Sequence, residues 1–305
     1  MNAIATIRSA PGLESYLQRL EARLESAVAA HPGLVAEVGT ETLAAGGKRL
    51  RPVLTFLAAP PERRADDRVV LAGTAVELVH MATLVHDDML DAAPVRRGRP
   101  TAWATHGPGV AKAVGDHLFA RAFAELARAG DGAMVRTLAD AALALARGEA
   151  LQRLQAFCPD TTVEDYLRRC SLKTGKLFEA ACRLGGSHDL GAFGLSLGIA
   201  FQIADDILDC TGDFDTTGKA PGVDLRDGTP TLPLILAARE DPRVREALSG
   251  ARVEDALERV AATGALEQSR ALALAYAERA RASLNGAQDR APLEALTFAA
   301  VDREH

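Results

Sequence analysis

The stretch Asp87-Asp88-Met89-Leu90-Asp91 follows an apolar run from Leu78 to Val85. A near copy, Asp205-Asp206-Ile207-Leu208-Asp209, follows a second apolar run from Leu195 to Ala204. Both runs lack proline and favour helix. Because residues four apart share one face of a helix, the first and last aspartates of each stretch lie one above the other. The sequence therefore predicts two apolar helices whose C-terminal ends each present two or three carboxylates.

Carboxylates at these positions are electrostatically unfavourable. A helix C-terminus carries partial negative charge, and each acid placed there costs about 0.3–1 kcal/mol. A chain that pays this cost twice is predicted to offset it with cations. Clustered carboxylate oxygens suit Mg2+, which proteins often bind through one or two carboxylates and substrate phosphates. Two solvated acidic helix ends are the alternative, and the repetition of the cluster favours the metal site.

The composition of the 305 residues indicates the fold class. Hydrophobic residues make up 48% and aromatic residues only 4%, with many Ala and Leu and few alternating Val/Ile runs. Such a composition favours helix over sheet. We predict one all-α domain over residues 1–305, a helical bundle of about ten or more helices around a central cavity. The motif chemistry further suggests that the two acidic clusters face each other across that cavity.

Charge, cysteines and hydropathy exclude several classes of protein. The net charge of −6 argues against nucleic acid as the main partner. No signal peptide is recognised at the N-terminus, and no run of about 18 apolar residues predicts a transmembrane segment. The cysteines form no CxxC pair and fit neither a zinc site nor a disulfide framework, so we predict a cytoplasmic protein. They are Cys158, Cys170, Cys182 and Cys210.

Two basic segments accompany the first acidic cluster. Residues 46–52 read Gly-Gly-Lys-Arg-Leu-Arg-Pro and precede an apolar run, which places cations at a helix N-terminus, where backbone N–H groups attract anions. Residues 96–100 read Arg-Arg-Gly-Arg-Pro and begin a loop that we expect to reach Gly109. Arginine suits bidentate phosphate contacts. A solvated basic turn, or arginines that merely neutralise the acids, are the alternatives.

Further candidates lie around the second cluster. Thr162 with Asp165 predicts a helix N-cap, and that helix leads into Lys173-Thr174, which is either a helix end or a ligand contact. Gln202 precedes the second cluster on the same face of its helix. Residues 211–233 are rich in Gly, Pro and Thr and contain Lys219, so we predict a lid.

Taken in this order, the motifs resemble those of the trans-isoprenyl diphosphate synthases, or polyprenyl synthetases, over residues 35–240 and more weakly beyond. The two aspartate-rich stretches resemble the two such motifs of that family, the first with Arg96-Arg97-Gly98 behind it. The other similar pieces are Gly47–Pro52 (family pattern Gly-Lys-x-x-Arg-Pro), Lys173-Thr174 and Gln202.

The resemblance implies an isoprenoid synthase-like fold, a homodimer and a role for each site residue. Mg2+ would be held by Asp87, Asp88, Asp91, Asp205 and Asp209, with Asp206 as an adjunct. Isopentenyl diphosphate would be held by Lys48, Arg51, His80 and Arg97. An allylic diphosphate (dimethylallyl, geranyl or farnesyl) would contact Arg96, and its head group would be lined by Lys173, Thr174, Gln202 and Lys219. His80 as a hydrogen-bonded core residue is the alternative for that position.

The reaction implied is head-to-tail prenyl transfer to a trans-polyprenyl diphosphate. Ala82 and Thr83 are small and lie just over one helical turn before Asp87, so a growing tail has room to pass, and we expect a product of about C20 or longer. One position departs from the family pattern: Gly228 is followed by Thr229 where a lysine is common. The missing cation suggests weaker substrate affinity or an altered reaction.

Two other functions remain open. A class I terpene cyclase with the same fold would keep the first cluster, but its second metal motif typically resembles Asn/Asp-x-x-Ser/Thr-x-x-x-Glu rather than a second aspartate-rich stretch. A subunit of a heteromeric prenyl synthase is the other alternative, although non-catalytic subunits usually lose one cluster and this chain keeps both. The sequence lacks the paired Glu-x-x-His motifs of a di-iron bundle.

Overall fold

A computed structural model describes residues 3–186, 189–211, 222–284 and 289–301. The described residues are mainly helical, with one short hairpin, so the all-α prediction is confirmed. By its internal contacts the chain divides into two compact units. The first comprises Met1–Ala142, Ala180–Gly191 and Gly286–Leu293, and the second comprises Leu143–Glu179, Ala192–Asn285 and Glu294–His305. The single domain over the whole chain stays a prediction, as does the facing of the two acidic clusters.

The elements follow one another in this order. Those that begin before residue 131 are α1 (Ala3–Arg8), α2 (Leu13–Val28), α3 (Leu34–Ala44), α4 (Leu50–Ala58), a 3-10 turn (Pro61–Arg63), α5 (Asp67–Leu90), β1 (Val95–Arg96), β2 (Arg99–Pro100) and α6 (Ala102–Ala127). Those that follow are α7 (Gly132–Gln155), α8 (Val163–Cys170), a π-helical segment (Ser171–Gly175), α9 (Lys176–Leu184), α10 (Gly191–Thr211), α11 (Val223–Arg226), α12 (Leu232–Glu240), α13 (Pro242–Leu248), α14 (Ala256–Ala262), α15 (Ala265–Ala282) and α16 (Arg290–Val301).

Helix α5 is the core of the first unit. It is buried on nearly every side, as a helix that is apolar all round must be. At Gly73 it meets α2, where an added Cβ would lie 1.9 Å from the Tyr16 hydroxyl. That hydroxyl donates to the Pro52 carbonyl over 3.0 Å, which joins α2 to α4 as well. The predicted apolar helix before the first acidic cluster is therefore confirmed as α5.

The prediction of a loop from the arginines to Gly109 is wrong over most of this segment. Strands β1 and β2 form a hairpin, and its central residues Arg97 and Gly98 have φ angles of 53° and 73°, as a type I′ turn requires. Thr101 then accepts a hydrogen bond from the Ala104 N–H and caps α6. Gly107 (φ 80°) interrupts the helical dihedrals, and the helix resumes after this kink.

In the second unit, α10 packs against α8 and the π-helical segment. Ile199 and Ile203 of α10 share a core cluster with Tyr166 of α8. The predicted Thr162 cap is confirmed as a full capping box with Asp165. The close approach of α10 requires glycine, since a Cβ on Gly198 would lie 2.8 Å from the Gly175 Cα.

Two helices are long and apolar enough to cross a membrane by length and composition alone. They are α5 and α10. In these helices 72% and 61% of the apolar window is buried within the fold, which is the pattern of core helices. Of the predicted lid, residues 211–233, the part from 212 to 221 lies outside the described residues, and Lys219 lies in that part. Of its described part, Val223–Arg226 forms the short helix α11.

Candidate active site

The first acidic cluster lies at the C-terminal end of α5, as predicted. Helix α5 ends at Leu90, and the Asp91 N–H donates to the Asp87 carbonyl over 2.8 Å, so these two acids are one turn apart. Asp88 is buried, Asp87 is half-buried and Asp91 is exposed. The cluster therefore passes from the core of the first unit to its surface within one turn.

An arginine of the hairpin holds the buried acid of this cluster. Arg96 Nε donates to Asp88 Oδ1 over 2.7 Å. The backbone adds a second link, because the Ala93 N–H donates to the Asp88 carbonyl over 2.9 Å. The hairpin is thereby fixed to the end of α5, and the Arg96 guanidinium stays beside the carboxylates.

A cavity of about 280 Å³ lies in the first unit next to this cluster. Of the predicted binding residues, His80, Arg96 and Arg97 line it, together with the predicted metal ligand Asp88. Lys48 is exposed and does not line it, nor does Arg51. The remaining charged lining residues are Glu41, Arg49, Glu77 and Arg99. The cavity thus carries more cationic than anionic side chains, which suits a phosphorylated ligand.

His80 is kept neutral by its surroundings. Burial lowers its pKa well below the usual value of 6.5, and the nearby guanidinium groups of Arg51, Arg97, Arg96 and Arg49 lower it further. Arg51 is thus one of the charges that act on His80, although it does not line the cavity. A neutral imidazole offers one N–H donor and one acceptor, so His80 is suited to hydrogen bonding rather than to charge pairing.

Arg49 is a residue of this cavity that sequence reasoning did not assign. Its φ of 48° lies in the left-handed region. Arg49 Nε donates to Glu21 over 2.7 Å and Nη1 donates to Glu77 over 3.0 Å. The signal in the sequence was Glu77, an acid directly before the apolar run of α5, which requires a partner when it is buried. Arg49 therefore joins α2, α4 and α5.

The second acidic cluster contains a buried acid with two neutral donors. Asp206 is 4% exposed. The Tyr166 hydroxyl donates to its Oδ2 over 2.6 Å, and Gln202 Nε2 donates to its Oδ1 over 2.8 Å. Burial raises the pKa of Asp206 to about 7, although both hydrogen bonds and Arg169 act against that rise. Tyr166 is a member of this site that the sequence reasoning missed, since a tyrosine forty residues away carries no local signal.

The same chain of hydrogen bonds reaches the predicted Lys173-Thr174 pair. Thr174 Oγ1 donates to Gln202 Oε1 over 2.8 Å. Thr174 lies in the π-helical segment, a local widening of the helix that is frequent at functional sites. The structure thus brings Thr174, Gln202 and Asp206 together in one continuous series of hydrogen bonds.

Lys173 is held by helix α7. Its Nζ bonds to Glu149 Oε2, and lies 3.3 Å from Gln152 Oε1. Partial burial disfavours the charge of Glu149, yet Lys173 and Arg153 hold the pKa of this carboxyl below its usual range. The close approach depends on Gly148, where a Cβ would lie 2.5 Å from the Lys173 backbone nitrogen. Glu149 and Gln152 were not predicted as site residues.

Asp209, at the end of the second cluster, is hydrogen-bonded to the backbone at the start of α11. Its two carboxylate oxygens accept from the Val223 and Asp224 N–H groups at 3.2 and 3.1 Å. Asp205 is half-buried on the same turn as Asp206. The second cluster therefore lies at the end of α10, as predicted, with three differently placed acids.

The donor set fits a hard divalent cation. Among the residues that the structure describes, no group of three His, Cys, Asp or Glu side chains is placed to enclose a metal ion by itself. Each cluster instead offers carboxylate oxygens near cationic side chains, in keeping with Mg2+ sites that complete their coordination with substrate phosphate and water. The residues therefore suit a metal that binds together with a phosphorylated substrate.

Comparison with known proteins identifies the family of this chain. The family model described as polyprenyl synthetase matches residues 32–263. The chain is 40% identical over 246 residues to heptaprenyl diphosphate synthase component 2 of Geobacillus stearothermophilus, covering 78% of this chain and 77% of that protein. It is 42% identical over 224 residues to the geranyl-diphosphate-specific all-trans-nonaprenyl-diphosphate synthase of Rhodobacter capsulatus, covering 70% and 69%.

The fold is also shared with solved structures. A polyprenyl synthase from Caulobacter crescentus, complexed with calcium and isoprenyl diphosphate, matches with a TM-score of 0.91 and 34% identity, over 99% of this chain and 98% of that one. A decaprenyl diphosphate synthase from Rhodobacter capsulatus matches with a TM-score of 0.89 and 33% identity, over 98% and 99%. This chain therefore belongs to the polyprenyl synthetase family and is a trans-prenyltransferase.

Proposed function

We propose that the protein condenses isopentenyl diphosphate with an allylic diphosphate, in the presence of Mg2+, to a trans-polyprenyl diphosphate of about C20 or longer. The observation that carries the proposal is the pair of aspartate clusters, each at the end of a buried helix and each beside cationic or dipolar side chains. We further propose that it acts in the cytoplasm as a homodimer.

The residues of the first unit would bind diphosphate. Arg96, held by Asp88, would contact the allylic diphosphate. His80 and Arg97, which line the cavity of the first unit, would bind isopentenyl diphosphate, with Lys48 and Arg51 close by in the chain. Asp87 and Asp91 of the first cluster, with Asp88 beside them, would hold Mg2+, as would Asp205 of the second cluster, with Asp209 beside it. Bound metal would stabilise the negative charge on the leaving oxygens.

The chemistry requires no enzyme nucleophile. The allylic C–O bond breaks, and its electron pair leaves with the diphosphate. The double bond of isopentenyl diphosphate supplies the electrons of the new C–C bond, and a proton is then lost to the departing diphosphate. Lys173 would stabilise the developing negative charge, while the Thr174 hydroxyl and Gln202 amide would present neutral dipoles to the carbocation. Lys219 is proposed to contribute to the same head group.

Incubation of the purified protein with isopentenyl diphosphate and dimethylallyl, geranyl or farnesyl diphosphate tests the proposal, with products identified by mass. Elongated diphosphates should form with Mg2+ and disappear with a chelator or in the Asp87→Asn variant. Arg243→Gln, a change in a surface ion pair with Glu246, serves as the matched control and should leave turnover unchanged. Cyclic hydrocarbon in place of elongated diphosphate would instead identify a terpene cyclase.

A heteromeric synthase is the second candidate. One relative is named as component 2 of a heptaprenyl diphosphate synthase. If this chain is such a subunit, the purified protein alone should show no turnover and should gain it when a second polypeptide is added. Turnover by the purified protein alone would exclude this alternative.

A further inference from the structure

We propose that Tyr166 and Asp206 are positioning residues that set the direction of the Thr174 hydroxyl, and that Asp206 performs this role rather than ligating metal. The hydrogen bonds run from Tyr166 and Gln202 to Asp206, and from Thr174 to Gln202. Asp206 thereby belongs to a chain of polar groups inside the second unit. The inference rests on the proposed function for the identity of the reaction that Thr174 serves.

The direction of each hydrogen bond in this series follows from which groups can donate and which can accept. Gln202 turns its Nε2 toward Asp206 Oδ1, which accepts the hydrogen bond, while Asp206 Oδ2 accepts from the Tyr166 hydroxyl. The amide oxygen then faces Thr174, and the Thr174 hydroxyl must donate its proton to that oxygen. The lone pairs of Thr174 Oγ1 are consequently directed away from Gln202. Asp206 therefore decides which end of the Thr174 hydroxyl dipole is offered to a ligand.

Burial of Tyr166 and Thr174 favours this one pattern of hydrogen bonds over alternatives that involve water. Tyr166 is fully buried and Thr174 is only 6% exposed, so water cannot readily replace a missing partner. A hydroxyl dipole in such a site also interacts more strongly with charge than it would in water. An allylic carbocation requires lone pairs rather than a proton in front of it, and the chain of hydrogen bonds supplies that orientation.

Helix geometry places the groups in register. Gly198, Gln202 and Asp206 are spaced by four residues and so form one face of α10. Gly198 allows contact with the π-helical segment, Gln202 meets Thr174, and Asp206 meets Tyr166 of α8. Both oxygens of Asp206 accept hydrogen bonds from these neutral donors.

Kinetics of four variants test the inference. Asp206→Asn should lower kcat at least about tenfold, because a misdirected dipole near the reacting centre is costly, while KM for both substrates and the Mg2+ requirement change less than about twofold. Tyr166→Phe should lower kcat in the same way but less. Asp205→Asn should raise the Mg2+ requirement. Tyr276→Phe removes a hydroxyl that is not part of this series of hydrogen bonds and should leave kcat, KM and the Mg2+ requirement unchanged.

A double-mutant cycle separates positioning from a general structural effect. If Asp206 acts through Thr174, then adding Asp206→Asn to Thr174→Val should cost less than about twofold beyond Thr174→Val alone. Multiplicative losses would overturn the inference. So would a rise in the Mg2+ requirement of Asp206→Asn equal to that of Asp205→Asn, because Asp206 would then be a metal ligand. If Asp206→Asn does not fold, Tyr166→Phe with Thr174→Val gives the same cycle.

A measurement independent of turnover distinguishes failure of this inference from failure of the proposed function. In protein labelled with 15N-glutamine, the side-chain amide of Gln202 should exchange slowly, and its resonance should shift in Asp206→Asn but not in Tyr276→Phe. If the wild-type protein shows no turnover but this shift occurs, the proposed function fails and the hydrogen-bond chain stands. If turnover is normal and Asp206→Asn leaves the amide unchanged, the inference fails.

Discussion

Arg96 Nε lies 2.7 Å from Asp88 Oδ1, so the hairpin places its arginine beside the first acidic cluster. The Arg96 side chain is 24% exposed and that of Asp88 is 8% exposed. The ion pair therefore keeps one guanidinium in place at the end of α5, with part of its surface accessible.

From this geometry we expect Arg96→Lys to raise KM for the allylic diphosphate about tenfold, because lysine cannot make the bidentate contact of a guanidinium. The value of kcat should change less, since the lysine still supplies a positive charge. Steady-state kinetics with the allylic substrate varied will measure both. Arg68→Lys, a surface residue paired with Asp131, is the matched control. Equal KM values in the two variants would contradict a role for Arg96 in binding.

Substitution of the adjacent cations Lys48 and Arg49 should affect the stability of the fold differently. Arg49→Ala leaves the Glu77 side chain, which is 5% exposed, without its buried partner and should lower the free energy of unfolding by about 3 kcal/mol. Adding Glu77→Gln should recover part of this loss, because the unpaired charge is then removed. Lys48→Ala, at an exposed position, should leave stability unchanged within about 0.5 kcal/mol. Urea unfolding measures all three, and a similar loss in Lys48→Ala would contradict the assignment.

The length of the product should depend on the size of the side chains at positions 82 and 83, one helical turn before Asp87. Ala82 is fully buried, whereas Thr83 is partly accessible and donates to the His80 carbonyl over 2.7 Å. Both Ala82→Phe and Thr83→Phe should shorten the product by narrowing the space below the cluster. Ala82→Phe should also destabilise the fold by about 1–3 kcal/mol through overpacking. Thr83→Val, nearly unchanged in volume, should keep the wild-type product. If mass spectrometry shows identical products from Thr83→Phe and Thr83→Val, then position 83 does not limit product length.

The lowered pKa of His80 gives a stability effect of definite sign. Below its usual value of 6.5 the unfolded chain takes up a proton that the folded chain refuses, because burial and four arginines oppose the charge. Stability should therefore fall as pH falls below that value, by no more than about 1.4 kcal/mol per pH unit from this group. His80→Gln should reduce the slope between about pH 6.5 and 5.5, as measured by urea unfolding. An unchanged slope would show that His80 protonates freely in the folded state.

Local patterns in the sequence determined the fold class and the placement of both acidic clusters. The apolar runs, the Thr162–Asp165 capping box and the clusters at the ends of α5 and α10 all depend on residues within one or two turns of each other. Such short-range signals can be recognised without tertiary structure, and the family resemblance extended them to the reaction.

Only the tertiary structure decided which charged and polar groups are paired. The partners of Arg49 lie 28 residues away on either side, and those of Asp206 include Tyr166, forty residues away. The loop expected after Arg96 became a hairpin and a capped helix because Arg97 and Gly98 adopt left-handed dihedrals that close a tight turn. Pairing across such separations is fixed by packing of helices, which brings together side chains that no local pattern relates. That is why the sequence identified the acids, and the fold showed that Asp88 holds an arginine and Asp206 holds a glutamine.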